Sequence, residues 1–399
     1  MNASLRTAWL AVALLWPVAL LNYLDRQMLA SMKFSVMADI TDIGRDANWG
    51  WMLGQFKWVY ALLSPLGGYI ADRFSRRFTI CSSLFVWSAV TWFTGQAATF
   101  DELLWTRTLM GISEAFYIPA ALALIADHHA ASTRSRAVGV HQTAIYCGVI
   151  LGGFAGYAAD SPDVGWRGAF HLAGVAGILY AIPLAFLLRD AKREETAPRR
   201  GRPLELLGNR SFLLLVLYFT LPAVAGWVVR DWMPAILKTR FAIGQGRAGV
   251  SATLFVNLAA LGGAFLGGWC ADRAMRRTVR GRIFTSACGM ALLIPALFGI
   301  GHAGSLAAAI AFLLLFGLGW GVFDCNNMPI LAQIVRPELR ATGYGIMNLV
   351  SISCGGFADW GFGAVMDQQT PLGAVFGTFA AVAAFSIVLV LRIRPRDEP

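Results

Sequence analysis

Nine charged side chains lie inside apolar runs that are long enough to cross a membrane: Asp25, Arg26, Lys57, Arg107, Glu114, Arg230, Asp231, Asp324 and Asp359. Charge at that depth costs several kcal/mol, so each marks a functional position by default. Their types define the chemistry available. A carboxylate takes up and releases protons, and a guanidinium grips a carboxylate or phosphate through a planar fork. In LNYLDRQ, Leu21 to Gln27, the acid and base are adjacent, hence about 100° apart on a helix and not obliged to pair with each other. Arg107 and Glu114 are seven apart, nearly on one face and about 10 Å apart along the axis. The expected arrangement has Arg26 and Arg107 flanking a wet cleft, with Asp25 and Glu114 as counter-ions. A static ion-pair network is the bland alternative. It is the weaker one, because packed apolar residues replace such pairs at little cost. His141 is a lesser member of the set.

The elements that must carry these residues are apolar helices. Of 399 residues 57% are hydrophobic and 14% charged, against about 25% charged in soluble domains. Twelve segments read as spans: 9–32, 49–71, 78–98, 102–126, 137–159, 168–188, 211–236, 248–270, 283–302, 305–333, 341–365 and 371–391. Each covers the hydrocarbon layer of about 30 Å at 1.5 Å per residue. The net charge of +10 raises nucleic acid as a partner, but its distribution answers otherwise. With both termini inside, 23 Lys and Arg fall in inner loops and six in outer ones, the positive-inside pattern. No nucleic-acid role is expected, and the bilayer is the partner.

Six cysteines are scattered without CxxC or CxxH spacing, so no disulfide framework, zinc site or other metal centre is expected. No Ser/His/Asp spacing or phosphate loop supports an enzyme, and His128–His129 reads as a solvated pair at an inner helix end. The first apolar run, with no small-residue cleavage site behind it, reads as a retained helix.

The chain repeats itself. LGGYIADRFSRR, Leu66 to Arg77, returns as LGGWCADRAMRR, Leu266 to Arg277, with eight of twelve letters kept at an offset of 200. RAVG at Arg136 echoes as RATG at Arg340. The one long polar stretch, Arg189 to Arg210, divides six spans from six. The expected organisation is residues 1–188 as one six-helix half, 189–210 as a cytoplasmic linker, and 211–399 as a second half. Parallel half-repeats are a transporter's architecture, with the site between rocking halves. Gly67 and Gly68 allow close backbone approach. Asp72, at a helix C-terminus where the macrodipole disfavours an anion, calls for an outside partner such as Arg136.

GGYIADRFSRR and GGWCADRAMRR resemble the inner-loop signature of the major facilitator superfamily. The resemblance spans nearly the whole chain and implies an all-α membrane protein of twelve transmembrane helices, two six-helix halves related by a pseudo-two-fold. It also implies a conformational latch at Asp72, Arg73, Arg77, Arg136, Asp272 and Arg273, and it makes a monomer the default. Spans 1, 4, 7 and 10 line the cavity in that superfamily, and seven of the nine buried charges fall there.

NYLDRQ with RTLMGISEA resembles the anion:cation symporter branch. By position this implies Tyr23 and Arg26 for substrate, Asp25 and Glu114 for protons, and Arg107 as partner to Glu114. Tyr60 and Asn348 sit where similar carriers place further substrate contacts, and Trp232 and Pro234 fit that branch's seventh helix. Lys57, the Arg230–Asp231 pair and Asp324 exceed the usual complement; Arg230 is expected to be neutralised by Asp231 or Asp324. The first-helix Asp-Arg and fourth-helix Arg…Glu also resemble spinster-type carriers of lysolipids and sphingosine derivatives. A proton-driven drug-efflux antiporter is less favoured. Gly148, Gly152 and Gly156 mimic its span-5 signature, but Gly153 stands where the proline belongs.

The expected activity is symport of a small organic anion, such as a sugar acid or monocarboxylate, by alternating access. The proton is the coupling ion, there is no cofactor, and the setting is a bacterial inner membrane with both termini cytoplasmic. Protonation of Asp25 and Glu114 frees Arg26 for the incoming anion.

Overall fold

In a computed structural model the described residues are 3–191 and 203–396. They form α-helices joined by short turns and 3₁₀ segments, with no strand among them. In chain order the helices are α1 (Ala3–Ser31), α2 (Lys33–Asp39), α3 (Asp46–Arg73), α4 (Arg76–Thr94), α5 (Phe100–Glu114), α6 (Tyr117–His128), α7 (Ala131–Asp160), α8 (Gly165–Leu187), α9 (Arg210–Phe241), α10 (Gln245–Met275), α11 (Gly281–His302), α12 (Leu306–Ile334), α13 (Arg340–Asp367) and α14 (Leu372–Leu391). Each expected span coincides with one of these helices, except that α5 and α6 share the fourth. Side-chain caps mark several starts. Ser75 accepts from Phe78 N–H at 3.0 Å, and Thr99 with Glu102 forms a capping box at α5, satisfying N–H groups that a first turn leaves open.

Ten helical stretches, with α5 and α6 taken together, are long and apolar enough to cross a membrane. The two that fall short on apolarity are α3 and α4. α4 carries Thr79, Ser83, Ser88, Thr91 and Thr94, all buried. Its hydroxyls therefore face the protein interior, where backbone carbonyls accept from them: Thr91 donates to Trp87 O and Thr94 to Val90 O, both at 2.9 Å. Large apolar side chains are exposed instead, among them Leu62, Phe85, Leu172, Phe186, Phe265 and Trp269. That exterior suits lipid, where an exposed apolar group costs nothing.

The chain packs as two units. The first contains α1 to α8 together with Asp231–Val250, and the second contains the chain up to Arg230 in α9 and from Ser251 onward. The expected boundary at the 189–210 connector therefore differs in one respect: the second part of α9 and the first turn of α10 cluster with the first unit. Much of the connector, 192–202, lies outside the described residues.

In the first unit α1 lies along α7, α4 along α8, and α3 along α5. The core is built from Leu15 and Val18 of α1, Leu84 and Trp87 of α4, Tyr117 and Leu124 of α6, Ala144 of α7 and Leu184 of α8. The α1–α7 contact is close because α7 offers glycine there. A Cβ on Gly152 would lie 2.8 Å from Leu24 O, and one on Gly148 would overlap Leu20 O. These glycines serve packing, as expected. In the second unit α11 lies along both α12 and α14.

Candidate functional site

The fourth span is broken, and its sequence says where. Pro119 has no N–H and its ring clashes with the carbonyl four residues back, which is that of Ala115. α5 ends at Glu114, and α6 restarts at Tyr117. The gap is received by α3: a Cβ on Gly67 would sit 2.6 Å from Ala115 O. The first glycine of the repeated string thus lets one helix backbone lie against the break in another. Gly68 falls outside the described side chains.

Glu114, the last residue before the break, is fully buried. Its Oε2 accepts from Arg26 Nε at 2.6 Å. Arg26 is held in an aromatic box, its Cζ lying 4.7 Å from the ring centre of Tyr60 and 4.9 Å from those of Tyr23 and Phe56. Rings at that distance attract a guanidinium by about 0.5–2 kcal/mol each. Tyr60 is itself buried.

Asp25, 2% exposed, lies about 100° round α1 from Arg26, as their adjacency demands. Its Oδ2 accepts from the Thr91 hydroxyl at 2.9 Å. Arg107, 3% exposed, donates from Nη2 to Thr94 at 2.9 Å and lies 5.9 Å from the Phe170 ring centre. It acts electrostatically on both Glu114 and Asp25 but makes no salt bridge to either. This corrects two expectations. Glu114 is the partner of Arg26, not of Arg107, and Arg107 is enclosed in the unit rather than flanking an open cleft. Its side chain reaches the α4 hydroxyl row, which the spacing of Arg107 and Glu114 alone does not reveal.

Asp231 differs likewise. It pairs with Lys57 at 2.5 Å, within the first unit, while the Arg230 guanidinium lies over Trp227 at 5.3 Å. Asp324 is exposed on α12 and makes no salt bridge among the described residues. Asn348 is half-buried on α13. Of the expected latch residues, the Asp72 side chain lies outside the described set, while Arg136 is exposed. Arg73 lies over Tyr69 at 5.0 Å. Arg77 donates from its side chain to Ala185 O and from its backbone to Asp190 at 2.9 Å. Asp272 pairs with Arg282 at 2.9 Å, and Arg273 is exposed.

Four residues of the cluster escape a reading by charge alone: Asn22, Phe56, Thr91 and Thr94. Asn22 was legible in principle, standing three before Asp25 and four before Arg26, on the same helical face. A further buried link joins His141 to Tyr117 at 2.9 Å and Tyr117 to Leu15 O at 3.1 Å, tying α7, the start of α6 and α1 together beside the break. On the flank of the unit, α3, α4 and α5 leave a groove of about 430 Å³. Ile70, Phe74, Phe78, Val86, Leu109 and Phe116 line it, and Ser83 and Ser113 are among its few polar groups. Ser113 and Phe116 bracket Glu114 and Ala115 in the chain, so the groove reaches the broken span.

Known proteins corroborate the architecture. Residues 15–358 match the family model described as Major Facilitator Superfamily. The chain is 30% identical over 378 residues to protein spinster homolog 1 of Bos taurus, covering 86% of this chain and 70% of that one. It is 27% identical over 384 residues to an MFS-type efflux pump of Mycolicibacterium smegmatis, covering 92% and 87%. A crystal structure of a bacterial homolog to the human lysosomal transporter spinster, inward-facing and unoccupied, superimposes with a TM-score of 0.76 at 22% identity, covering 97% of this chain and 95% of that one. The relatives thus lie on the spinster side, not specifically in the anion:cation symporter branch. With a family match over most of its length and an all-helical, multi-pass fold, this chain belongs to the Major Facilitator Superfamily of membrane transporters.

Proposed function

We propose that this chain is a proton-coupled carrier of a single-chain amphiphile with an anionic headgroup, a lysolipid-like cargo, working by alternating access. The observation that carries the reading is the state of Arg26. Its Nε is occupied by Glu114, while its Nη2 is buried with no hydrogen-bond partner. The group is thus half-committed to an internal acid and half-open to an incoming phosphate or carboxylate. A proton taken up by Glu114 neutralises the carboxylate and removes its hold. The headgroup then receives the fork of a guanidinium that three rings keep in place. Proton and anion enter together because each removes an obstacle to the other.

The cargo class rests on two supports. The relatives include spinster proteins, and the 430 Å³ groove ending at the broken span is almost wholly apolar, a wall for an alkyl chain and a poor one for sugar hydroxyls. Symport of a small sugar acid or monocarboxylate is the second reading, favoured by the same guanidinium, which would bind a free carboxylate equally well.

Proteoliposomes with an imposed proton gradient decide between them. The proposal expects gradient-driven movement of a fluorescent lysophospholipid and no accumulation of gluconate or lactate. The reverse result establishes the second reading, and movement of both cargoes indifferent to the gradient ends the coupling.

A further inference from the structure

We infer that the acidic side of the same cluster is a monovalent-cation site, made by Asn22, Asp25 and Glu114, that takes sodium in competition with the proton. The inference rests on the reading of Asp25 and Glu114 as the coupling acids, and its test is separable from that reading.

Each carboxylate spends one oxygen and keeps the other. Glu114 gives Oε2 to Arg26, and Asp25 gives Oδ2 to Thr91. Glu114 Oε1 and Asp25 Oδ1 are buried with no partner. Asn22 is fully buried, and both its amide oxygen and its nitrogen are unpartnered, although the side chain approaches the Glu114 carboxylate closely enough to act on it. Asn22 and Asp25 share a face of α1 at i and i+3, and Asp25 and Glu114 act on each other electrostatically. A buried acceptor without a partner is costly, since it has given up its hydrogen bonds to water. One proton bridges two oxygens at most, whereas three oxygens from two helices match a hard cation, which gathers carboxylate and amide oxygens together. α5 also ends at Glu114, bringing the negative end of a half-helix to the place, the arrangement by which discontinuous membrane helices bind cations.

Charge selects a monovalent ion. Asp25 and Glu114 balance Arg26 and Arg107, so the cluster is neutral when empty. One Na⁺ on the free oxygens and one anionic headgroup on the free donor Arg26 Nη2, buried and unpartnered, keep it so. A divalent ion leaves an excess positive charge.

The test is equilibrium binding of ²²Na⁺ to the purified full chain in nanodiscs, without cargo, with choline and K⁺ as controls. The expected result is saturable retention of about one Na⁺ per chain. Li⁺ displaces it, K⁺ and choline do not, and it weakens as pH falls because protons compete at Asp25 and Glu114. The other ionisable groups facing them are Arg26, Arg107, Tyr23 and Tyr60. Asn22→Leu, close in volume, loses at least tenfold in Na⁺ affinity, and Asn22→Ser serves if the leucine variant does not fold, each compared with parent by its melting temperature in choline. Retention of Na⁺ no better than of K⁺ or choline overturns the site and leaves the oxygens to water or the proton. Lysolipid movement driven by a pH gradient in sodium-free medium is scored separately. Its absence beside intact Na⁺ binding overturns the proposed transport, not the site.

Discussion

Arg26 and Glu114, 88 positions apart in the chain, meet at 2.6 Å where the fourth span is interrupted. The carboxylate is fully buried, and the arginine side chain retains 13% of its exposure. Of the two, the base is therefore the one an incoming molecule can still touch. Glu114→Gln keeps the volume and a hydrogen-bond acceptor but cannot alternate between charged and neutral forms. It is expected to abolish uphill transport while leaving cargo exchange within a few-fold of parent, measured by gradient-driven uptake against counterflow. Retained concentration of cargo rules Glu114 out as the proton carrier.

Arg26→Lys separates charge from shape. Lysine keeps the positive charge but loses the plane that stacks among Tyr23, Phe56 and Tyr60 and the Nε–H that Glu114 accepts. A compact ammonium does not replace a fork at such a site. An apparent affinity for cargo at least tenfold weaker, with normal membrane insertion, is expected from concentration-dependent uptake.

Pro119→Ala restores an N–H that can bond Ala115 O and removes the ring that opposes it. Healing the helix should raise thermal stability and cut transport severalfold, because Glu114 is re-aimed as the turn closes. Gly67→Val acts on the same place from α3, where a Cβ would strike Ala115 O. Overpacking of this kind costs about 1–3 kcal/mol, read as a lowered melting temperature. The signature of the break is that the two variants move stability in opposite directions.

Lys57 and Asp231 pair at 2.5 Å with side chains 5% and 12% exposed. Removing one partner of a buried pair costs about 3–5 kcal/mol, whereas replacing both with apolar residues is often neutral. Lys57→Met should accordingly destabilise strongly, and the double variant Lys57→Met, Asp231→Leu should recover most of the loss. A thermal-denaturation double-mutant cycle measures the coupling; additive losses would show that the two side chains do not share a burial cost.

The residues that carry chemistry were visible as charges in apolar runs, because a charge inside a membrane helix is costly enough to stand out from one sequence. Their partners were not. Asp231 has Arg230 beside it in the chain yet meets Lys57, since neighbours on a helix point about 100° apart and a side chain bonds what lies across from it. Glu114 and Arg107 share a face of one span, and even so Arg26 of another helix reaches the carboxylate first. The uncharged members, Asn22, Thr91 and Thr94, escaped because hydroxyls and amides are ordinary in membrane helices until their neighbours are known.

The helical spans and the internal repeat followed from composition and period alone, since hydrocarbon thickness and the burial cost of the backbone leave a helix little choice. Even the break at Ala115 was written in Pro119. What only tertiary structure decided was who neutralises whom. The free energy of a buried charge depends on donors and acceptors within about 3 Å, and packing brought those together from helices far apart in the chain.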